Sequence, residues 1–296
     1  MRRNEAMKPW EWMVDYTPQT NWIEGHGVFI WLAEVFGALG GGLYLVSLWS
    51  GSLGGMFVGW LLAVAIKGGL HMAHLGRPSR FWRLFLKAGT SWLARGLVFV
   101  ALFAFFGALQ LIASYWLPGT GWEILFKVLA GILALLVAAY SGFVMNYVNG
   151  IPFWNSALLP LLFVLFGMFG GTALLIIIGL LGYDADLVRA LGFVPVLLPV
   201  IASVVALYLW SATYICPASK RSVLKMVRGR LALVLWIGVV LCGVVLPAAM
   251  TAFMFTAGYA SVYLLAATAV GMLVGVFSFN YSLLKAGLYR PLTPVG

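Results

Sequence analysis

Residues 28–49 read VFIWLAEVFGALGGGLYLVSLW. The run carries one charge, Glu34, and no proline. Crossing the roughly 30 Å apolar core of a bilayer takes about 20 mostly apolar helical residues. This stretch has that length. A buried helix of a soluble protein has a shorter apolar run, flanked by a charged face. The chain as a whole agrees with the membrane reading: of its 296 residues, 63% are hydrophobic and 9% charged. Soluble domains are nearer 45–50% and about 25%. Roughly 186 apolar residues suffice for about eight or nine spans and little else. An extramembrane catalytic domain, a sizeable disordered tail and a nucleic-acid-binding module are excluded on that count.

Working outward, the same pattern predicts eight spans: Val28–Trp49, Gly54–Leu75, Ala94–Trp116, Trp122–Asn146, Ser156–Leu181, Gly192–Ile215, Leu231–Thr256 and Ala260–Leu284. Turn chemistry separates them, as in Ser50-Gly51-Ser52, Pro118-Gly119-Thr120-Gly121, Gly150-Ile151-Pro152 and Gly182-Tyr183-Asp184. Trp22, Trp49, Trp92, Trp116 and Trp122 fall at span ends, where an interfacial aromatic belt belongs. The expected organisation is a tail at 1–24, a membrane domain at 25–285 and a tail at 286–296. No cleavable signal is expected. Arg2 and Arg3 are followed by Asn4, Glu5 and Lys8 instead of an apolar run.

The net charge of +10 is placed unevenly. An even span count puts both termini on one side, side A. That side receives Arg2, Arg3, Lys8, Arg77, Arg80, Arg83, Lys87, Arg95, Lys220, Arg221, Lys225, Arg228, Arg230, Lys285 and Arg290. Side B has only Arg189 in its loops, and Lys67 and Lys127 fall inside spans. The positive-inside rule then assigns side A to the cytoplasm.

Within the spans, Gly37 and Gly41 form a GxxxG stripe beside Gly40 and Gly42, a pattern for close helix packing in lipid. Pro195, Pro199 and Pro247 are expected to kink their helices. Cys216 and Cys242 form no CxxC. The chain is therefore not expected to hold an iron–sulfur cluster, and the two read as buried thiols.

Ionisable residues in lipid are costly and face a bundle interior. Lys67, His71 and His74 share one helix face at i, i+4 and i+7. Counting inward from side A, Glu34 and Lys67 each lie about 13 Å deep. Equal depth predicts an interhelical pair, either a structural ion pair or a proton-relay element. Glu123 and Lys127 read as a surface pair near side B. At the side A boundary His26, His74, Arg77 and Tyr140 converge, with Asn21 just outside. Such a pocket suits an amphipathic headgroup with two carbonyls, since His and Tyr donate hydrogen bonds and His also passes protons. Spacing alone leaves each of them open to a plainer reading, an interfacial group satisfied by water. A b-type haem needs two facing axial ligands. The three histidines, two of them on one helix, make a di-haem site unexpected.

Four segments carry a more specific signal. They are His74-Leu75-Gly76-Arg77-Pro78-Ser79-Arg80-Phe81-Trp82-Arg83, Ser91-Trp92-Leu93-Ala94-Arg95-Gly96, Tyr140-Ser141-Gly142-Phe143 and Ile151-Pro152-Phe153-Trp154-Asn155-Ser156-Ala157-Leu158-Leu159-Pro160. Together they resemble the NrfD-like family of membrane anchors, which includes the membrane subunit of polysulfide reductase. The likeness covers roughly residues 22–180, and the last third matches mainly in hydropathy.

The resemblance implies an all-α membrane protein of eight transmembrane helices in two four-helix bundles. It implies a bound quinone (menaquinone or ubiquinone) and no redox centre in this chain. It also implies an iron–sulfur partner with four [4Fe–4S] clusters, linked to a molybdopterin catalytic subunit. His74 and Tyr140 match family positions linked to quinone. Asn21 and His26 are five apart, where the family pair is four apart. Arg77 is assigned to a reduced anionic headgroup, and Glu34, Lys67 and His71 to a proton path. Arg80, Arg83, Lys87, Lys220, Arg221 and Lys225 frame a docking face. A proton-translocating subunit and a secondary transporter are the alternatives. The transporter would need an internal repeat, and none is visible.

Overall fold

The computed structural model describes residues 15–291; Arg2, Arg3 and Lys8 lie outside the described residues. Among the described residues, eight helices are long and apolar enough to cross a membrane. They are α1 (Gly27–Ser50), α2 (Leu53–His74), α3 (Trp92–Trp116), α4 (Gly121–Asn146), α5 (Leu158–Leu180), α6 (Leu187–Ile215), α8 (Val234–Ala257) and α9 (Val262–Ala286). Between α6 and α8 lies a shorter helix, α7 (Pro217–Val227).

Local chemistry sets the helix ends. Ser52, Ser91, Thr120, Asp186 and Ser261 cap the starts of α2, α3, α4, α6 and α9 by accepting a backbone N–H. The Asp186 cap lets α6 begin five residues before the expected Gly192. Gly51 closes α1 in the left-handed region at φ 80°, which costs glycine little.

Two π-helical stretches interrupt the spans. One covers Leu62–Ile66, directly before Lys67. The other covers Val234–Val245, directly before Pro247. Proline lacks an N–H and crowds the carbonyl four residues back. The irregularity expected at Pro247 therefore takes the form of a widened helix ahead of it. α6 continues through Pro195 and Pro199.

α1 is the hub, and its small residues show why. Gly40 faces Gly59 and Ala63 of α2, Gly41 faces Ala134 and Ala138 of α4, and Gly42 lies against the backbone of Gly167 in α5. Small residues let helix backbones approach closely where no hydrophobic effect drives association. The stripe is a packing device on three sides at once.

One apolar core joins α1 to α5, α6, α8 and α9 through residues such as Leu39, Phe166, Tyr208 and Phe279. A smaller core lies among α1–α4, around Tyr44, Met56, Phe103 and Leu133. The outer faces expose Phe105, Ile132, Val196, Trp236 and Phe253, as lipid-facing helices do.

Trp49, Trp116 and Trp122 are exposed at the side B ends. Trp22 and Trp92 depart from the expected belt and turn inward. Trp22 packs on Trp154 at 5.3 Å, and Trp92 stacks on Phe143 at 4.9 Å. Trp82, Trp210 and Tyr214 are exposed at side A instead.

The described part of the N-terminal segment lies across the side A end. Gln19 bonds the Gly287 carbonyl at 2.9 Å through its backbone and the Leu284 carbonyl at 3.0 Å through its side chain. Tyr289 N–H returns a bond to the Thr17 carbonyl at 2.9 Å. Residues expected to be tails are thus knitted to each other and to α9.

Candidate functional site

α1 and α2 bring the predicted charges together. Lys67 Nζ lies 3.6 Å from Glu34 Oε2, with side chains 1% and 5% exposed. Such burial forbids either charge without the other, because an isolated ion in a low-dielectric interior is costly. His71 Nε2 approaches Glu34 Oε1 at 3.9 Å, and its side chain is one-third exposed. Seven residues separate Glu34 from the start of α1 and Lys67 from the end of α2. Both therefore sit about 10 Å below the side A boundary.

Tyr140 of α4 joins this layer from the far side. Lys67 Nζ lies 4.7 Å from its ring centroid, a cation–π contact. Glycines make room for the two long side chains. A side chain at Gly37 would overlap Lys67, and one at Gly96 would overlap the Tyr140 ring. The motifs around residues 91–96 and 140–143 are mated in this way. Gly96 seats Tyr140, Trp92 stacks on Phe143, and the Arg95 guanidinium lies 4.8 Å over Trp92.

His74 forms the rim. Its Nδ1 is 3.0 Å from the His26 carbonyl. A carbonyl only accepts, so Nδ1 carries the hydrogen and Nε2 is left for another partner. The convergence expected from the sequence is therefore layered. Glu34, Lys67, His71 and Tyr140 form the deep layer, and His74 stands above it on the His26 backbone. The His26 ring, Asn21 and Arg77 are exposed. Arg77 makes no side-chain hydrogen bond or ion pair among the described residues.

The expected docking residues divide into two groups. Arg80, Arg83 and Lys87 lie on a 3-10 segment, Pro78–Lys87, with no buried residue. Lys220, Arg221 and Lys225 lie on α7, whose Ala218, Val223 and Met226 are buried. Arg221 lies 4.2 Å over the Tyr16 ring. Lys225 donates to the Lys285 carbonyl at 2.7 Å, and Lys285 pairs with Glu24. Burial, then Lys285 and Arg230, hold the Lys225 ammonium below the usual lysine pKa, with Glu24 opposing.

A second polar cluster escaped sequence reasoning. Tyr44 donates to Gln110 Oε1 at 2.5 Å, Gln110 to Ser114 Oγ at 2.9 Å, and Ser114 to Glu123 Oε1 at 2.8 Å. Gly119 N–H and Lys127 each approach the same carboxylate at 2.7 Å. Glu123 and Lys127 are thus the outer end of a buried chain, not merely a surface pair. The signal that pointed to it was Gln110, a lone amide in an apolar span, which must find partners. All donors point toward Glu123, so the chain stabilises its negative charge.

Along α1, about 15 Å of helix separates Tyr44 from Glu34 in the Lys67 layer, filled by the Gly40–Ala63 and Gly41–Ala138 contacts. A shallow apolar groove of about 530 Å³, lined by Leu53, Phe57, Leu111, Tyr115 and Trp116, opens at the side B end, far from His74. Cys216 and Cys242, expected to be buried, are partly exposed and unpaired.

With this geometry in place, comparison with known proteins is decisive. The family described as "Polysulphide reductase, NrfD" matches residues 50–291. The chain belongs to the NrfD family. The match runs through the last third, where the motifs alone had shown mainly hydropathy. Protein NrfD of Escherichia coli (strain K12) is 31% identical over 128 residues, covering 35% of this chain and 40% of that relative. The chain thus matches about two fifths of the length of that curated relative. As an NrfD-family subunit it is a multi-pass, all-helical membrane protein with eight candidate spans.

Proposed function

We propose that this NrfD-family chain is the quinone-reactive membrane subunit of a polysulphide reductase-type oxidoreductase complex. The observation that carries the reading is the ionisable layer of Glu34, Lys67 and His71. It is buried about 10 Å beneath the basic face, touches Tyr140 and lies below His74. A bound menaquinone or ubiquinone would supply two-electron, two-proton chemistry that no side chain of this chain provides.

The residues fit that group. His74 Nε2 is free because Nδ1 is committed to the His26 carbonyl. A neutral His74 accepts a proton at Nε2 when a hydroquinone is oxidised, and a protonated one donates there in the reverse direction. Tyr140 bounds the headgroup, with its ring held by Gly96 and Lys67. Arg77 supplies an unpaired positive charge at the rim for a reduced anionic headgroup, and His26 and Asn21 flank the opening. His71, one-third exposed, links Glu34 and Lys67 to the surface as the proton path. Electrons would be exchanged between the bound quinone and a docked four-cluster [4Fe–4S] subunit, itself linked to a molybdopterin catalytic subunit. Lys220, Arg221 and Lys225 lie together on α7 and would form a basic docking surface for that partner. The membrane is the prokaryotic inner membrane. Side A, with 12 of the 15 described Lys and Arg residues, faces the cytoplasm together with both termini.

The purified complex tests this with a quinol analogue. Tyr140→Phe and His74→Ala should each slow quinol-linked electron transfer, by on the order of 100-fold for His74, as loss of a general base does. Normal binding and turnover in both variants would sink the assignment.

The Tyr44–Glu123 chain favours one second reading, a proton-translocating subunit. Two features weigh against it. Close Gly40–Ala63 and Gly41–Ala138 packing separates the two clusters, and an amide such as Gln110 does not pass a proton from its oxygen to its nitrogen without changing tautomer. Proton movement across proteoliposomes during quinol oxidation, lost in Glu123→Gln, would favour translocation.

A further inference from the structure

The segment Pro78–Lys87 buries none of its ten residues. Phe81, Trp82, Phe85 and Leu86 are 36%, 52%, 41% and 74% exposed. Elsewhere on side A, α7 turns Ala218, Val223 and Met226 into the protein. Here the apolar side is left open by the chain itself.

A 3-10 helix has about three residues per turn, so side chains at i and i+3 line up. Arg80 and Arg83 share one row with Leu86. Ser79, Trp82 and Phe85 form a second, and Pro78, Phe81, Leu84 and Lys87 a third. The first row is mainly basic and the other two mainly aromatic or aliphatic. Phe81 and Phe85 pack at 6.5 Å, and the Arg83 guanidinium lies 5.7 Å from the Trp82 ring.

The position of this segment is fixed. α2 ends at His74 and α3 begins at Trp92, both at the side A boundary. Arg95 holds the returning chain down, bonding the Ala88 carbonyl at 3.0 Å and the Gly89 carbonyl at 2.9 Å. Both ends of the segment are therefore tethered at the boundary.

We propose that residues 78–87 lie in the headgroup layer of the membrane, with the aromatic rows among acyl chains and Arg80 and Arg83 among anionic phosphates. Aromatic and basic rows side by side are the pattern of an interfacial segment. The occupant is a lipid surface, because charge complementarity and tethered ends coincide. Anionic lipid of the cytoplasmic leaflet meets a basic row on the face that carries the positive bias. The residues first read as part of a docking face thereby hold the side A edge of α2, next to His74 and Arg77. α7 is left as the basic surface open to a protein partner. This inference does not depend on quinone chemistry.

Spin labels on Phe85→Cys and Arg83→Cys, in the full-length chain with Cys216→Ser and Cys242→Ser, test it. The chain is placed in nanodiscs with and without phosphatidylglycerol, and collisions with oxygen and with an aqueous nickel chelate are compared. The label at 85 should favour oxygen over nickel several-fold and the label at 83 the reverse. Phosphatidylglycerol should lower nickel access at 83 at least two-fold. A label at 85 open to nickel in the bilayer overturns the proposal. So does protection at 85 that arises only in the assembled complex, which would make the occupant a protein, and so does indifference to phosphatidylglycerol.

Discussion

The helices before residue 150 and those after it solve opposite problems with the same lipid outside. α1–α4 enclose Glu34, Lys67, His71, Gln110 and Glu123, and hold them with contacts between different helices. α5, α6, α8 and α9 enclose no charged side chain away from their ends, where Arg189 and Lys285 sit. Tyr208 donates to the Phe153 carbonyl at 2.7 Å, but three other buried polar groups bond within their own helix. Thr172 bonds the Met168 carbonyl, Thr268 that of Leu264, and Asn280 that of Val276. A self-satisfied hydroxyl bonds its own turn whatever the neighbouring helix does. A buried ion pair needs two helices in register. The polar groups of the first set therefore depend on interhelical geometry more than those of the second.

The sharpest way to break this comparison is Glu34→Ala. It leaves the Lys67 ammonium buried without its counter-charge, and thermal unfolding in detergent should show a loss of about 3–5 kcal/mol. Replacing both partners, as Glu34→Leu with Lys67→Met, should recover most of that stability but not quinol turnover. Wild-type unfolding in Glu34→Ala would mean that the pair is not buried as described.

A smaller effect is expected at the second cluster. Glu123→Gln removes the charge on which Ser114, Gly119 and Lys127 converge and should cost about 1–3 kcal/mol. Quinol turnover should stay near wild type, since the cluster is separated from Lys67. A matching fall in turnover would join the two clusters functionally.

The smallest effect belongs to the other half. Asn280→Leu removes an amide bonded only to its own helix, and should shift stability by about 0.6 kcal/mol. A loss as large as that of Glu34→Ala would erase the contrast between the halves.

Much of the fold was legible in the sequence because lipid imposes a rule on each segment separately. A helix must satisfy its own backbone, so about 20 apolar residues suffice to place it. Span ends went astray where a cap or a surface helix intervened, as Asp186 did before α6. α7 was read as a basic loop because its apolar face is only Ala218, Val223 and Met226, too short to stand out. Trp22 and Trp92 were misplaced because Trp serves an interface and a core equally well.

The site was legible in part. The Glu34–Lys67 pair followed from depth, which helix rise makes a matter of counting. The same counting put Tyr140 about 9 Å below the side A end of its helix, and only its grouping with His26, His74 and Arg77 drew it to the boundary. The structure brings it into contact with Lys67 instead, because Gly37 and Gly96 leave space on that side.

The sequence by itself determined the membrane, the eight spans, their alternation and the basic face. Each depends on local composition and on the solvent around a single helix. Only the tertiary structure decided which polar groups meet. The Tyr44–Glu123 chain, the seat of Tyr140 and the open apolar rows of residues 78–87 depend on rotation about helix axes and on which glycine faces which neighbour. Hydropathy reports depth and says nothing about rotation. Contacts between helices are set by close packing of small residues, and only the assembled bundle shows them.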